Sequence, residues 1–425
     1  MRVACNLLWL VPGAVGGSET ATVHLLRTIA DDPPADIDLS LFALDAFADA
    51  YPELARAFPT HGVPLTGRLK PLRVAAENTW LPRQVRGQFD LMHHMGGVLP
   101  LARTGPSVVT LHDLQPFDMP DNFSPAKRAY LQHTIPRTVR RAELILTASE
   151  FVRRGVVARF GVDPDRVRVT PWGVGPPSSE VSLGEVQARY GLPRRWFVFP
   201  SFTWWHKDHA LAVQAFAQVA AREHDVVLVL TGGEGAAEAA VAERIDSLGL
   251  RGRVRRTGLI PRRDVLAIVR GSVAMVYPSR YEGFGLPIIE AMSLGAPVLA
   301  ADATSLPEVA GGACRLLPPG DIDAWASAMI DLLADGAERE RLSAAGRERA
   351  AGYTWVRTAG ATLAAYREVA AGASVPGPVD TTAPTTADPG GPPPAGPGGP
   401  PPGDEVAADT PPTTDVTPDD NEVAP

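Results

Sequence analysis

Two hydrophobic rhythms alternate along the chain. Short, nearly continuous apolar runs occupy residues 3–10, 37–44, 90–95, 107–113, 143–149, 165–169, 196–201, 226–230, 253–258, 273–277 and 297–300. Each reads as a buried strand. Between them apolar residues fall at helical spacing. Ala21, Leu25, Leu26 and Ile29 predict a helix over 18–30 with Ser18 as N-cap. Residues 124–142 predict a helix interrupted near Pro136, and Ser149 caps another through Phe160. Leu286, Ile289, Met292 and Leu294 give the same signal between two strands. Strand, loop, helix, strand is the repeating unit of a parallel α/β sheet. Trp325, Leu332 and Leu333 mark a later helix, and a last one runs from about 355 to 371. Residues 45–88 are Pro-rich and irregular, with helical pieces and no readable motif.

A length of 425 residues suits two domains, each with a core of its own. The rhythm divides the chain into 1–174, a Pro- and Ser-rich linker at 175–184, a second domain at 185–354 and a final helix at 355–371. From 372 to 425 the composition turns to Pro, Gly, Thr and Asp without apolar periodicity, so this tail is expected to be disordered, and no partner for it is legible. The tail holds nine of the acids and no Lys or Arg, so the net charge of −8 becomes about +1 for the body. A near-neutral body carries no nucleic-acid footprint. One stretch departs from neutrality: residues 122–168 hold ten basic residues against four acids. That surplus suits peripheral contact with an anionic membrane or solvated helix faces. No run of about 18 apolar residues exists, so no spanning helix is expected, and the apolar start leads into Pro12-Gly13 rather than a cleavage site. Cys5 and Cys314 have neither metal nor redox spacing and read as core residues of a reducing compartment. The expected location is cytoplasmic, with the inner membrane face as a site of peripheral contact. His93 and His94 are adjacent on a strand, so they point to opposite faces and do not form a metal pair.

The candidate chemistry gathers at Ser279-Arg-Tyr-Glu-Gly-Phe-Gly-Leu-Pro-Ile-Ile-Glu290. Gly283 and Gly285 allow a tight bend, and a helix beginning at 284–286 directs free N–H groups into it, a ready seat for phosphate. Glu282 before the helix and Glu290 inside it lie about 12 Å apart along the axis. Ionised carboxylates only accept hydrogen bonds, which suits sugar hydroxyls. Phosphate in the middle and hydroxyls at both ends describe a nucleoside diphosphate sugar. Ordinary solvated glutamates beside a tight turn are the alternative. Lys207, in Phe202-Thr-Trp-Trp-His-Lys207, sits just before a helix, where a cation is unfavourable unless an anion joins it. The loop at Gly16-Gly17 follows the first strand, and His112-Asp113 ends another; both are places where such sheets receive ligands.

The string at 279–290, with Gly295-Ala-Pro-Val-Leu-Ala300 and Ser305-Leu-Pro-Glu-Val309, resembles the donor-site signature of family 4 glycosyltransferases. That family is retaining and has the GT-B fold, so the resemblance implies two doubly wound Rossmann-like domains facing a central cleft, with the last helix crossing back to the first. It implies that Glu282 lies near the transferred sugar, that Glu290 takes the ribose hydroxyls, and that Gly283, Phe284, Gly285 and Leu286 face the diphosphate. His112 would reach the donor sugar, and Lys207 would neutralise the leaving diphosphate. Gly16, Gly17 and Gly232 would approach the donor, Leu259 and Ile260 the base, while Glu19 and Asp113 fall to the acceptor side. The family usually adds an Arg five or six residues before this Lys; here Phe202 and Ser201 stand there, leaving His206, His209 or a residue elsewhere to share the charge. The implied reaction moves a hexosyl unit, mannosyl or glucosyl, from a nucleotide sugar to an acceptor hydroxyl in glycan, polysaccharide or glycolipid synthesis. No metal or other cofactor is implied beyond the donor itself. The rivals are another GT-B chemistry, epimerisation or phosphorolysis, and a non-catalytic partner protein on a transferase scaffold.

Overall fold

Strands that are apolar on both faces need helices on both sides, and two such sheets organise the chain. The computed structural model describes residues 1–14, 16–67, 69–102, 104–175 and 181–372. The expectations for the tail, and for half of the linker, lie outside these residues. The first sheet contains β1 (Arg2–Asn6), β2 (Asp38–Leu44), β3 (Thr60–Val63), β4 (Leu91–His94), β5 (Ser107–Thr110), β6 (Leu144–Thr147) and β7 (Val167–Val169). Their order is β3-β2-β1-β4-β5-β6-β7, parallel throughout. The second sheet contains β8 (Arg195–Pro200), β9 (Val226–Thr231), β10 (Val254–Gly258), β11 (Ala274–Tyr277), β12 (Val298–Ala301) and β13 (Arg315–Leu317). It runs β10-β9-β8-β11-β12-β13, again parallel. The order reverses direction between β1 and β4 and between β8 and β11. Each reversal opens a crevice at the carboxyl ends of the strands.

Register follows burial. Cys5 lies between Leu41 and His93, and both cysteines are buried thiols whose pKa burial raises to about 12. His93 and His94 do point apart: His93 bonds Tyr366 Oη at 2.7 Å and Thr110 Oγ1 at 2.8 Å, while His94 meets Asn6 at 3.2 Å. The helix Trp355–Ala370 returns to the first sheet, where Leu363, Tyr366 and Val369 share a core with Val3, Leu41 and Leu91. Thr358 anchors it to the Pro171 carbonyl at 2.6 Å.

Four local expectations give way. The first strand ends at Asn6, because the Asn6 side chain accepts from the Leu8 amide at 3.1 Å and turns the chain. The helix Gly17–Asp31 starts from Gly16 at φ 83°, with no side-chain cap, so Ser18 lies inside it. The helix Pro125–Arg141 runs unbroken through Pro136, since burial of Ile135, Thr138 and Val139 outweighs one missing N–H. Residues 45–88 contain β3 and the sixteen-residue helix Lys70–Val85. No helix of the described residues is long and apolar enough to cross a membrane.

Candidate active site

The carboxyl ends of the strands from both sheets line one cleft of about 1920 Å³. Its second-half wall is built on two loops. The loop after β8 ends in a short 3-10 turn at Trp205–Lys207, and the loop after β11 carries Glu282. They meet in a bonded triangle. Lys207 Nζ donates to Glu282 Oε1 at 2.6 Å and to Tyr277 Oη at 3.1 Å, and Tyr277 donates to the same carboxylate oxygen at 2.8 Å. Burial pushes the Glu282 carboxyl up, but the Lys207 ammonium and the hydrogen bonds outweigh it and hold the pKa below its usual value. The backbone is fixed as well: the Glu282 amide donates to Thr304, and Ser305 Oγ reaches the carbonyls of Glu282 and Phe284, both at 2.9 Å.

Both glycines of the loop are required by space. A Cβ on Gly283 would lie 2.1 Å from the His112 carbonyl oxygen of the opposite half. Gly285 caps the helix Leu286–Ser293 at φ 99°, and a Cβ there would meet Leu306 at 2.6 Å. Among the described residues, the amides of 283–286 donate to no protein acceptor. Glu290 also lines the cleft and is paired with Arg262. Burial raises its pKa, with the Arg262 charge working the other way. Leu259 and Ile260 line the same end, Leu259 well exposed. Gly232 lines it too, and a Cβ at its φ of 146° would fall 2.3 Å from the Ser201 carbonyl oxygen.

The first-half wall presents Gly16 and Gly17 at the start of their helix, and His112 and Asp113 after β5. His112 Nε2 lies 2.8 Å from the Met95 carbonyl, which can only accept, so Nε2 carries the proton. Its Nδ1 is then an acceptor, buried without a protein partner. Burial lowers the His112 pKa to about 4, so the ring is neutral. Asp113 Oδ1 accepts from the Gln115 amide at 2.9 Å, and burial, aided by the Glu282 charge, raises its pKa. Glu19 is not at the cleft surface. It is buried beneath the loop, accepting from the Gly13 amide at 2.7 Å and from Tyr51 at 2.5 Å, so its part is to pin the glycine loop.

Direct contacts join the halves at the glycine loop. Ser149 Oγ donates to the Gly283 carbonyl at 2.6 Å. Tyr281 donates to Asp118 at 2.8 Å and accepts from the Leu114 amide at 3.1 Å. Glu308 caps the facing helix Glu150–Phe160, taking the amides of Glu150 at 2.7 Å and Phe151 at 3.0 Å.

Comparison with known proteins agrees with this geometry. The family model for Glycosyltransferase Family 4 matches residues 15–176, and that for Glycosyl transferases group 1 matches 194–349. The MMP alpha-(1->4)-mannosyltransferase of Mycolicibacterium hassiacum is 30% identical over 307 residues, covering 67% of this chain and 72% of that protein. The chain belongs to glycosyltransferase family 4. O-antigen chain mannosyltransferase B of Escherichia coli is 28% identical over 344 residues, 78% of this chain and 90% of that protein. Two solved structures share the GT-B fold. Sucrose-phosphate synthase from Thermosynechococcus elongatus superposes with a TM-score of 0.70 at 22% identity, over 88% of this chain and all of that one. Anabaena HepE in complex with UDP-glucose gives 0.69 at 20% identity, over 87% and 100%.

As a family 4 glycosyltransferase the chain still departs from pattern at Ser201 and Phe202, and neither histidine nearby supplies the charge. Burial lowers His206 to about 4 and His209 to about 3. His209 is buried outside the cleft, stacked on Phe199 at 4.2 Å. The second cation of this wall is Arg262, which sequence reading passed over. Its signal was of the kind used for Lys207: a cation at the positive end of a helix, here the first residue of Arg262–Gly271. Tyr277 was also missed; it is the last residue of β11, where a strand end reaches the cleft. Trp9, with its ring centroid 5.5 Å from His112, had no motif to announce it, and Trp172, at 5.8 Å, was not read as part of the site.

Proposed function

We propose that this glycosyltransferase moves a hexosyl unit, mannosyl in preference to glucosyl, from a nucleoside diphosphate sugar to an acceptor hydroxyl with retention at the anomeric carbon. Glycan, polysaccharide or glycolipid synthesis is its setting. The observation that carries the reading is the common cleft position of Glu282, Lys207 and Glu290 around unpaired amides at 283–286. The preference for mannose rests on relatives named as O-antigen and MMP mannosyltransferases.

In this reading the diphosphate rests on the amides at the start of the helix Leu286–Ser293, with Lys207 beside it. Glu290 receives the ribose hydroxyls, Leu259 and Ile260 flank the base, and Gly16, Gly17 and Gly232 leave room for the donor. Glu282 accepts from the hexosyl hydroxyls. His112, neutral and with Nδ1 free to accept, takes a further sugar hydroxyl. The bond from the anomeric carbon to the leaving phosphate breaks as the acceptor oxygen bonds on the same face. The acceptor proton passes to the departing phosphate oxygen, whose growing charge Lys207 offsets. Asp113 stands on the acceptor side.

Peripheral contact with an anionic membrane has less support than residue counting gave it. Arg128, Arg153, Arg159 and Arg168 sit in ion pairs, Arg166 is buried against the carbonyls of the helix Pro125–Arg141, and Arg137 is half-buried, which leaves Lys127, Arg140, Arg141 and Arg154 exposed and, among the described residues, outside ion pairs. The decisive experiment incubates the protein with GDP-mannose or UDP-glucose and a hydroxyl acceptor and reads the anomeric configuration of the product by NMR. An inverted linkage, or binding of neither GDP nor UDP by calorimetry, refutes the proposal.

A further inference from the structure

The loop between β8 and the helix His209–Arg222 leaves large apolar surface in the cleft. Phe202, Trp204 and Trp205 all line it, and the two indoles keep 44% and 57% of their surface exposed. Side chains of this size are ordinarily mostly covered.

The loop holds these rings out without help from a ligand. Thr203, between them, is buried; its Oγ1 accepts from the Gly235 amide and donates to Glu238, both at 2.7 Å, and its carbonyl accepts from the Ala237 amide at 2.8 Å. The Trp204 amide donates to the Phe202 carbonyl at 2.8 Å, and the Lys207 amide to the Trp204 carbonyl at 3.0 Å. The Arg280 amide donates to the His206 carbonyl at 2.7 Å and its guanidinium pairs with Asp208 at 2.7 Å, which ties this loop to the one carrying Glu282. The glycine turn after β9 makes room for the rings. A Cβ on Gly233 would enter the Phe202 ring, and one on Gly235 would stand 3.0 Å from the Trp204 indole. A shelf fixed in this way loses little freedom when something stacks on it.

The nearby charges are already met: Lys207 pairs with Glu282, Asp208 with Arg280 and Glu238 with Arg256. The shelf therefore suits a neutral ligand. Ser201 and His206 line the cleft beside the rings, and burial keeps His206 neutral. Aromatic faces set among neutral polar groups match a pyranose, which has an apolar C–H face and a rim of hydroxyls. A prenyl chain has no use for those polar groups. The base has its own neighbours in Leu259 and Ile260, on the loop after β10, and β9 separates β10 from β8. At about 1920 Å³ the cleft is roughly twice the upper size of a pocket for one small ligand, so a second sugar has room beside the donor.

Resting on the proposed transfer reaction, we propose that Phe202, Trp204 and Trp205 form a stacking shelf for a neutral pyranose ring of a glycan acceptor, one beyond the ring whose hydroxyl reacts. Lys207 follows Trp205 by two residues, so the shelf adjoins the reacting end of the cleft. The protein thereby senses acceptor length and favours an oligosaccharide over a single sugar.

The test is calorimetric binding to the full chain, alone and with saturating GDP or UDP, of methyl α-mannoside, α-linked mannotriose and geraniol. Mannotriose binds about tenfold or more tighter than methyl α-mannoside. The gain is lost in Trp204→Ala/Trp205→Ala and largely kept in Trp204→Phe/Trp205→Phe, which retains aromatic faces. If the alanine pair lowers the thermal midpoint, Trp205→Ala alone, at the more exposed indole, shows a drop of about threefold or more in mannotriose affinity. Equal binding of the two sugars, a gain that survives in the alanine variants, or geraniol binding that the alanine variants lose overturns the proposal. So does weaker binding of GDP or UDP in those variants, which would give the shelf to the base. Nucleotide that binds wild type and Trp204→Ala/Trp205→Ala equally leaves the transfer reaction standing even if the shelf fails.

Discussion

Replacing Lys207 by Ala tests the centre of the site through both stability and turnover. Lys207 and Glu282 retain only 15% and 12% of their side-chain exposure and lie 2.6 Å apart. Removing one partner of a buried pair costs roughly 3–5 kcal/mol, because the other charge is stranded. Tyr277 still donates to Glu282, so the lower end is expected, about 3 kcal/mol. For a half of 150–250 residues that corresponds to a midpoint about 6–12 °C lower. The sign of the pH dependence separates this cause from a generic loss of packing. In the wild type the folded pKa of Glu282 lies below its ordinary value. Its contribution is therefore present above the unfolded pKa and lost as pH falls through the folded one. Without Lys207 only the hydrogen bonds from Tyr277 and Ser279 oppose burial, so the folded pKa rises and the variant loses less stability on acidification than the wild type. The gap between the two proteins should thus narrow from pH 7 towards about pH 5 in scanning fluorimetry. Turnover should fall by about 10²–10³-fold, the scale of a lost electrostatic donor. A gap of constant size across that range, or turnover close to wild type, would refute the reasoning.

Other outcomes follow from the same geometry. Glu290→Ala should weaken GDP or UDP binding by about tenfold or more without weakening inorganic pyrophosphate binding, since it removes the hydroxyl acceptor and leaves Arg262 as a free cation in the cleft. Gly283→Ala forces a Cβ to 2.1 Å from the His112 carbonyl, so the halves must separate; turnover should drop while far-UV circular dichroism is retained. Glu308→Ala removes a cap on the opposing helix and should cost about 1–2 kcal/mol in urea denaturation. The folded pKa of His209, about 3, lies below the unfolded value of 6.5, so stability is lost as pH falls below 6.5; His209→Phe should flatten that acid slope and keep activity.

The strands and the glycine loop were legible because their signals are local. A run such as 226–230 is apolar at every position, and Gly283 and Gly285 stand beside Glu282 in one continuous string. What escaped depended on distant partners. Pro136 argues for a helix break, and only burial of Ile135 and Val139 against other elements overrides it. The helix Gly336–Ala351 was invisible because its buried face is small, Leu342, Gly346 and Ala350, too little to set a rhythm. Glu19 reads like any acid at a helix start, and only the fold brings Tyr51 within 2.5 Å of it. Arg262 and Glu290 lie far apart in the chain and meet because the strand order sets their helices side by side.

The returning helix Trp355–Ala370 governs how this polypeptide can be assembled. Its Tyr366 is buried against His93, and Arg367 reaches Asp36 at 2.7 Å, so residues made late complete a layer begun by residues made first. On the ribosome the second sheet can mature as soon as its strands emerge. The first sheet must wait, with Leu41 and Leu91 incompletely covered, until translation passes residue 370. A fragment ending at Val174 would keep that apolar seam open, and the natural remedy is to supply the missing helix in trans.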